Sequence, residues 1–392
     1  LQAADTYEKQ SISNAYPKIG NMKKPRAFLA LLCLSATITS YSQFRKYSNE
    51  FLNIGAGARG LAMGGAQVAS VSDGTAGYWN PAGLVGVKDN PNLNLMHAEY
   101  FAGIGKYDYA SVAFPLANNK RTFAVTGLRF AVDDIMNTLF LVEPDGSINY
   151  NNIQAFSSAD YAFLFSLSQK LAGKKNKNLY VGVNAKVIHR NVGKFAKAWG
   201  FGLDAGIQYV KNRWRLGLVG RDLTSTFNMW SFTFTEREKE VLYLTNNEIP
   251  VKSTELTAPR TILGAAYNFG VSKKVNLLAE VNVDLTFDGQ RNTLLSSKAV
   301  SADPKLGLEC NINEIFYLRA GINNFQKALA DGDTLNQKKV WIYQPSAGAG
   351  FKISNVTIDY AFSNLANQSN PLFTHVFSLR LDMVNNKNKK KK

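Results

Sequence analysis

The stretch VNLLAEVNVDL, Val275 to Leu285, decides the fold. Val275, Leu277, Ala279, Val281, Val283 and Leu285 fall on one face of a strand, because successive side chains in extended backbone point to opposite sides. Asn276, Glu280, Asn282 and Asp284 fall on the other face, interrupted only by Leu278. The same alternation runs through Phe201, Leu203, Ala205, Ile207 and Tyr209, through Phe316, Leu318, Ala320 and Ile322, and through Phe377, Leu379 and Leu381. Each of these strands has one face suited to an apolar medium and one suited to a polar one.

Working outward from residue 275, the pattern predicts fourteen strands: 93–100, 106–115, 121–131, 158–168, 178–190, 199–210, 213–221, 259–269, 274–285, 303–312, 315–324, 345–353, 355–362 and 373–383. The links after even-numbered strands are mostly short and those after odd-numbered strands mostly long. Short turns at one rim and long loops at the other are expected of a 14-stranded antiparallel transmembrane β-barrel with both termini in the periplasm. A soluble β-sandwich also alternates, but its strands run about 5–6 residues, and many of these approach the roughly 9–11 that cross a bilayer obliquely. Aromatic residues near strand ends, such as Tyr180, Trp199, Tyr209, Trp214, Tyr267 and Phe351, sit where an interfacial girdle belongs. Lipid leaves an unpaired strand edge unsatisfied, so the sheet has to close.

The 392 residues carry 45 Lys+Arg against 29 Asp+Glu, a formal charge of +16, with only two Cys and three His. That count excludes a disulfide scaffold and most metal-site templates. Met22-Lys23-Lys24-Pro25-Arg26, the apolar run Ala27 to Leu34 and the small-residue exit through Ser42 have the three parts of a secretory signal at 22–42. We expect residues 1–21 to be an extra segment ahead of the true start. Five lysines crowd into the tail 384–392. In an exported chain the basic excess suits solvation and anionic lipid headgroups, including lipopolysaccharide, rather than nucleic acid. The organisation expected is a leader at 22–42, a plug at 43–92, a barrel at 93–383 and a Lys-rich tail.

Residues 43–92 read differently from the rest. Phe51 to Gly65 is rich in small residues, and Gly77 to Leu84 contains Asn80-Pro81-Ala82-Gly83-Leu84. Gly55, Gly57 and Gly60 satisfy G-x-G-x-x-G, but no βαβ repeat follows and the nearest acid is Asp73, so a dinucleotide cradle is not expected. A compact plug fits better. Gly55, Gly57, Gly64 and Gly65 allow close backbone packing, and Asn80, Pro81 and Gly83 set turns. Arg59 and Asp73 are expected to pair with each other or with lumen charges.

Phe51–Gly65 together with Tyr78–Leu84 resembles the opening of the PorV/PorQ group of Bacteroidota outer-membrane proteins, which is similar in fold to the FadL fatty-acid channels. The resemblance implies a 14-stranded barrel with an N-terminal plug in the bacterial outer membrane. It also implies a role in type IX secretion, with partners among other outer-membrane and secretion-complex proteins.

Catalytic constellations are absent from the sequence: neither H-E-x-x-H nor G-x-S-x-G occurs, and His97, His189 and His375 fall on different strands. No enzyme, cofactor or metal site is expected. Asp204, Glu280, Asp284, Glu309 and Asp359 share a direction with Lys186, Lys305, Arg319, Lys352 and Arg380, so a lattice of lumen ion pairs is expected. In the long segment 222–258, Met229, Trp230, Phe232 and Phe234 put apolar bulk on an external loop and are the candidate partner-binding residues. The alternative for that segment is a hairpin extending the wall. The function expected is partner binding in secretion or surface-protein assembly; the alternative is a FadL-like channel for hydrophobic small molecules.

Overall fold

The computed structural model describes residues 43–44, 48–101, 103–116, 120–171, 178–329, 338–364 and 373–383. The leader, the segment before it and the lysine-rich tail lie outside the described residues.

The alternating stretches form β1 Asn92–Tyr100, β2 Gly105–Leu116, β3 Arg121–Asn137, β4 Gln154–Lys170, β5 Leu179–Val192, β6 Ala196–Lys211 and β7 Trp214–Arg221. A short pair follows, β8 Thr226–Phe232 and β9 Ser253–Thr257. Then come β10 Arg260–Gly270, β11 Val275–Thr286, β12 Ser301–Ile312, β13 Phe316–Leu329, β14 Lys339–Ile353, β15 Val356–Asn364 and β16 Phe373–Asp382. Omitting β8 and β9, fourteen strands close an antiparallel ring, with β16 pairing β1 so that Leu379 faces Leu95. β7 pairs β10 directly. β8 instead pairs the first half of β6, from Ala196 opposite Phe232 to Phe201 opposite Phe227, and β9 pairs β8. The segment 222–258 is therefore a hairpin that raises the wall, the alternative weighed for it above.

Several strands outrun the sequence-based bounds at the long-loop rim: β3 reaches Asn137 and β14 begins at Lys339. Above the bilayer both faces of a strand are wet, so pairing continues where the apolar alternation has stopped.

The two environments are separated as the alternation requires. On β11 the side chains of Glu280, Asn282 and Asp284 are buried inside the ring, while Val281 is 45% exposed outside it. Leu95, Phe163, Phe165, Leu203, Leu216, Leu263, Leu308, Leu318 and Phe377 point outward and form an exposed apolar belt. A surface of that kind needs hydrocarbon around it. At the short-turn end Trp214, Tyr267 and Phe269 stack edge to face at 4.8 and 4.7 Å, and Phe316 meets Phe351 at 4.9 Å, which places an aromatic girdle there. No helix among the described residues is long and apolar enough to cross a membrane; the crossing is made by strands.

The plug fills the middle of the lumen. Its elements are a 3-10 turn Glu50–Asn53, α1 Ala58–Ala62, α2 Ala76–Trp79 and a 3-10 helix Pro81–Gly86. On one side Phe51, Leu52, Tyr78 and Trp79 pack against Tyr100, Tyr107, Tyr109, Leu128 and Leu164 from β1 to β4. The opposite side of the lumen is charged. The lumen is thus apolar along one arc and ionic along the other.

Candidate functional site

The plug is held by backbone contact and by ion pairs. Gly64 has φ +62°, and a Cβ there would lie 2.7 Å from the Ile322 nitrogen of β13; its neighbour across the contact is Gly321. The motif at 80–84 anchors the far side. The Asn80 side chain accepts from the Ala82 N–H at 3.1 Å and donates to the Val68 carbonyl at 2.9 Å and the Ile207 carbonyl at 3.2 Å, tying plug to β6. Pro81 opens the 3-10 helix, where its missing N–H is harmless, and rests against Gly182 of β5. Gly83 lies against the Val71 carbonyl, which leaves no room for a Cβ. Gly55 donates to the Tyr78 hydroxyl at 2.9 Å, and Gly57 donates to Met96 Sδ at 3.0 Å. Gly65 has φ +77° and completes the turn after α1. These glycines serve contacts within the plug and between plug and wall.

Arg59 and Asp73 do not pair with each other; each meets a lumen charge. Arg59 makes a two-pronged bond to Glu309 of β12 at 2.8 and 3.1 Å, and Glu309 also accepts from Arg319 at 2.6 Å. Arg319 reaches on to Asp359 at 2.7 Å. Asp73 accepts from Arg380 at 3.2 Å and from the Thr75 N–H at 2.9 Å. Elsewhere on the ionic arc Lys186 binds Asp204 at 2.8 Å and also Asp222, and Lys305 binds Asp284 at 2.8 Å. Most of the expected lattice is present; Lys352 has no ion pair among the described residues. Glu280 departs from it, with Oε1 accepting the Ala69 N–H at 2.7 Å.

Two chambers lie on opposite sides of the plug. The larger, about 440 Å³, lies toward the long loops. Ile54, Leu61, Tyr78 and Trp79 of the plug and Tyr100, Phe101 and Ile262 of the wall give it an apolar floor and one apolar side, while most of the remaining lining is polar or charged, Arg221, Arg260, Asp284, Arg291, Asp303 and Lys305 among it. Tyr78 is fixed by donating to the Leu52 carbonyl at 2.6 Å, with the Arg221 guanidinium 4.7 Å above its ring. Trp79 is fixed by donating to the Ala56 carbonyl at 2.7 Å. The aromatic floor is therefore rigid. The smaller chamber, about 220 Å³, lies toward the short turns and is lined mainly by charged and amide side chains.

The residues from loop 222–258 are not gathered into one anchor. Trp230 stacks on Phe232 and lies under the Arg190 guanidinium at 5.1 Å, and Phe234 stacks on Phe195. Met229 alone of the four is freely exposed, at 49%. More exposed apolar groups sit on α3 Glu236–Leu244 and just after it: Tyr243, Leu244 and Val251. The helix starts at a capping box in which Thr235 donates its N–H to Glu238 at 2.7 Å. Burial pushes the Glu238 carboxyl up, but the Thr235 N–H and Lys194 outweigh it and hold the group below its usual range. Thr235-x-x-Glu238 is the sequence signal that marks this helix.

No protein-family model matches the sequence, and no curated protein matches it. Solved structures do. The CymD monoaromatic hydrocarbon channel superposes with a TM-score of 0.52 at 12% identity, covering 85% of this chain and 98% of that one. The Ralstonia pickettii toluene transporter TbuX gives 0.51 at 13%, covering 84% and 99%. The Pseudomonas putida toluene transporter TodX gives 0.51 at 14%, covering 84% and 98%. None of these comparisons supports the PorV/PorQ likeness read from the plug motif. What this chain shares with the three channels, over 98–99% of their length, is the barrel fold.

Proposed function

We propose that the protein is an outer-membrane channel of FadL-like type that admits hydrophobic small molecules, with both termini of the barrel on the periplasmic side. The chamber above the plug carries this reading: its apolar floor is Ile54, Leu61, Tyr78 and Trp79, the two aromatic rings are pinned by hydrogen bonds, and it sits on the long-loop side. The walls above that floor are mostly polar, so the reading rests on the cluster of aromatic and aliphatic side chains at the floor, the kind of surface that buries an apolar ligand. The hydrocarbon channels of the same fold support it, as does the belt that demands lipid outside. The test is equilibrium dialysis of radiolabelled toluene against the purified protein in micelles. Saturable binding is expected, weakened about tenfold or more by Leu61→Asp, which puts a charge in the floor. Partition of toluene that tracks detergent alone, or an unchanged affinity in the variant, removes the reading.

A second reading is favoured by the apolar groups at the long-loop rim. Met229, Tyr243, Leu244 and Val251 are exposed beyond the membrane belt, as anchors for another envelope protein would be. A PorV-like role in type IX secretion belongs to this reading. Mild-detergent pulldown from native membranes should then recover envelope proteins, and the Tyr243→Lys, Leu244→Lys double variant should lose them. Identical recovery from both chains defeats it.

A further inference from the structure

We propose that the chamber on the short-turn side of the plug is a binding site for a small anion presenting carboxylate or phosphate oxygens. It is separate from the hydrophobic chamber and does not rest on that chamber's reading.

Four guanidiniums, Arg59, Arg215, Arg319 and Arg380, line this space of about 220 Å³, against two carboxylates, Asp73 and Glu309. Both carboxylates are already engaged. Glu309 holds Arg59 and Arg319 together, and Asp73 takes Arg380 and Thr75. Asp359, on the inward face of β15, takes the other end of Arg319. Glu280 is turned into the plug backbone.

Arg215 is left over. It stands near the short-turn end of β7, and among the described residues it has no ion pair; its bond is a 3.5 Å donation to the Ser70 carbonyl. The Nε of Arg380 is buried with no acceptor. The amides of Asn268, Asn276 and Asn311 add donors to the same lining, whereas the Tyr317 hydroxyl is given to the Glu314 carbonyl. With both lining carboxylates engaged, Arg215 and the Nε of Arg380 are the donors left waiting for an acceptor. Guanidinium forks match planar carboxylate and phosphate oxygens in two-pronged fashion. The volume equals about seven water molecules at roughly 30 Å³ each, room for phosphate or a small polycarboxylate and little more.

The charge is also built in rather than incidental. Arg215 alternates with Gly217, Val219 and Arg221 on the inward face of β7, and Gly217 lets the Val68 carbonyl come so near that a Cβ there would sit 2.6 Å from it. The plug is thereby drawn against the strand that carries Arg215.

The experiment is calorimetric titration of inorganic phosphate, and separately of citrate, into the full chain in micelles at low salt. Saturable binding of at least one anion is expected, weakened at least tenfold by Arg215→Gln and partly restored by Arg215→Lys. Toluene binding measured on Arg215→Gln should match the wild type, which separates this site from the other chamber. Should Arg215→Gln fail to fold, Asn276→Leu, which fills the chamber from β11, is expected to weaken the same titration. Absence of saturation by both anions, or equal affinity in Arg215→Gln, overturns the proposal.

Discussion

Leucine in place of Gly321 should unseat the plug while leaving the barrel closed. Gly321 lies on the inward face of β13, and a side chain there would run into the plug backbone at Met63 and Gly64. Gly64 in turn lies against the Ile322 backbone. Backbone meeting backbone has no rotamer to turn aside, so the leucine displaces the segment or the strand. Overpacking of this kind costs about 1–3 kcal/mol or more. The strand is held on both sides, by Gly307 of β12 and Ser346 of β14 opposite Gly321, whereas the plug turn has no such ladder. The turn should therefore yield. Two measurements check it: trypsin should cut after Arg59 in the variant and spare it in the wild type, and the reconstituted variant should pass ions across a planar bilayer more readily than the wild type. A protected Arg59 and a silent bilayer would show that the contact is more forgiving than its geometry.

Glu309→Gln should be the most damaging single change to the ionic arc. Glu309 is the carboxylate that two guanidiniums share, Arg59 from the plug and Arg319 from β13, with side-chain exposures of 16% and 2%. Removing one partner of a buried pair leaves an uncompensated charge and costs about 3–5 kcal/mol. The urea midpoint for loss of the folded barrel in micelles should fall clearly. Adding Arg59→Met to Glu309→Gln should recover part of the loss, because the stranded charge goes with it. If the double variant is weaker than Glu309→Gln by the full effect of Arg59→Met alone, the two residues are independent and the shared-carboxylate account is wrong.

The barrel was legible because hydrocarbon outside and polar groups inside write themselves into alternate positions, as in Val275 to Leu285. Where that contrast ends, so did the reading: the upper part of β3 and the start of β14 are paired strands with wet faces on both sides. The hairpin β8–β9 was read as a loop with a hairpin as its alternative, since its partner is the top of β6, and nothing local in Thr226 to Phe232 names that neighbour. In the plug, small residues and Asn80-Pro81 announced tight packing, and they pack tightly. The partner of Arg59 was not legible, because Glu309 lies 250 positions away. The two chambers are properties of shape and leave no local trace. Arg215 did leave one: it shares its parity with Gly217 and Arg221 on a strand whose other face is Leu216 and Leu218.

The distances along the chain carry one more implication. Ala58 donates to Ser378, Ser346 donates to the Ala62 carbonyl, and Arg59 grips Glu309, spans of 320, 284 and 250 residues. The part of the plug that leaves the ribosome early thus has its binding partners made last. It cannot settle until nearly the whole chain has been delivered and the ring is almost shut, so during assembly the leading end has to wait, unfolded and attended, for its own socket to be built around it.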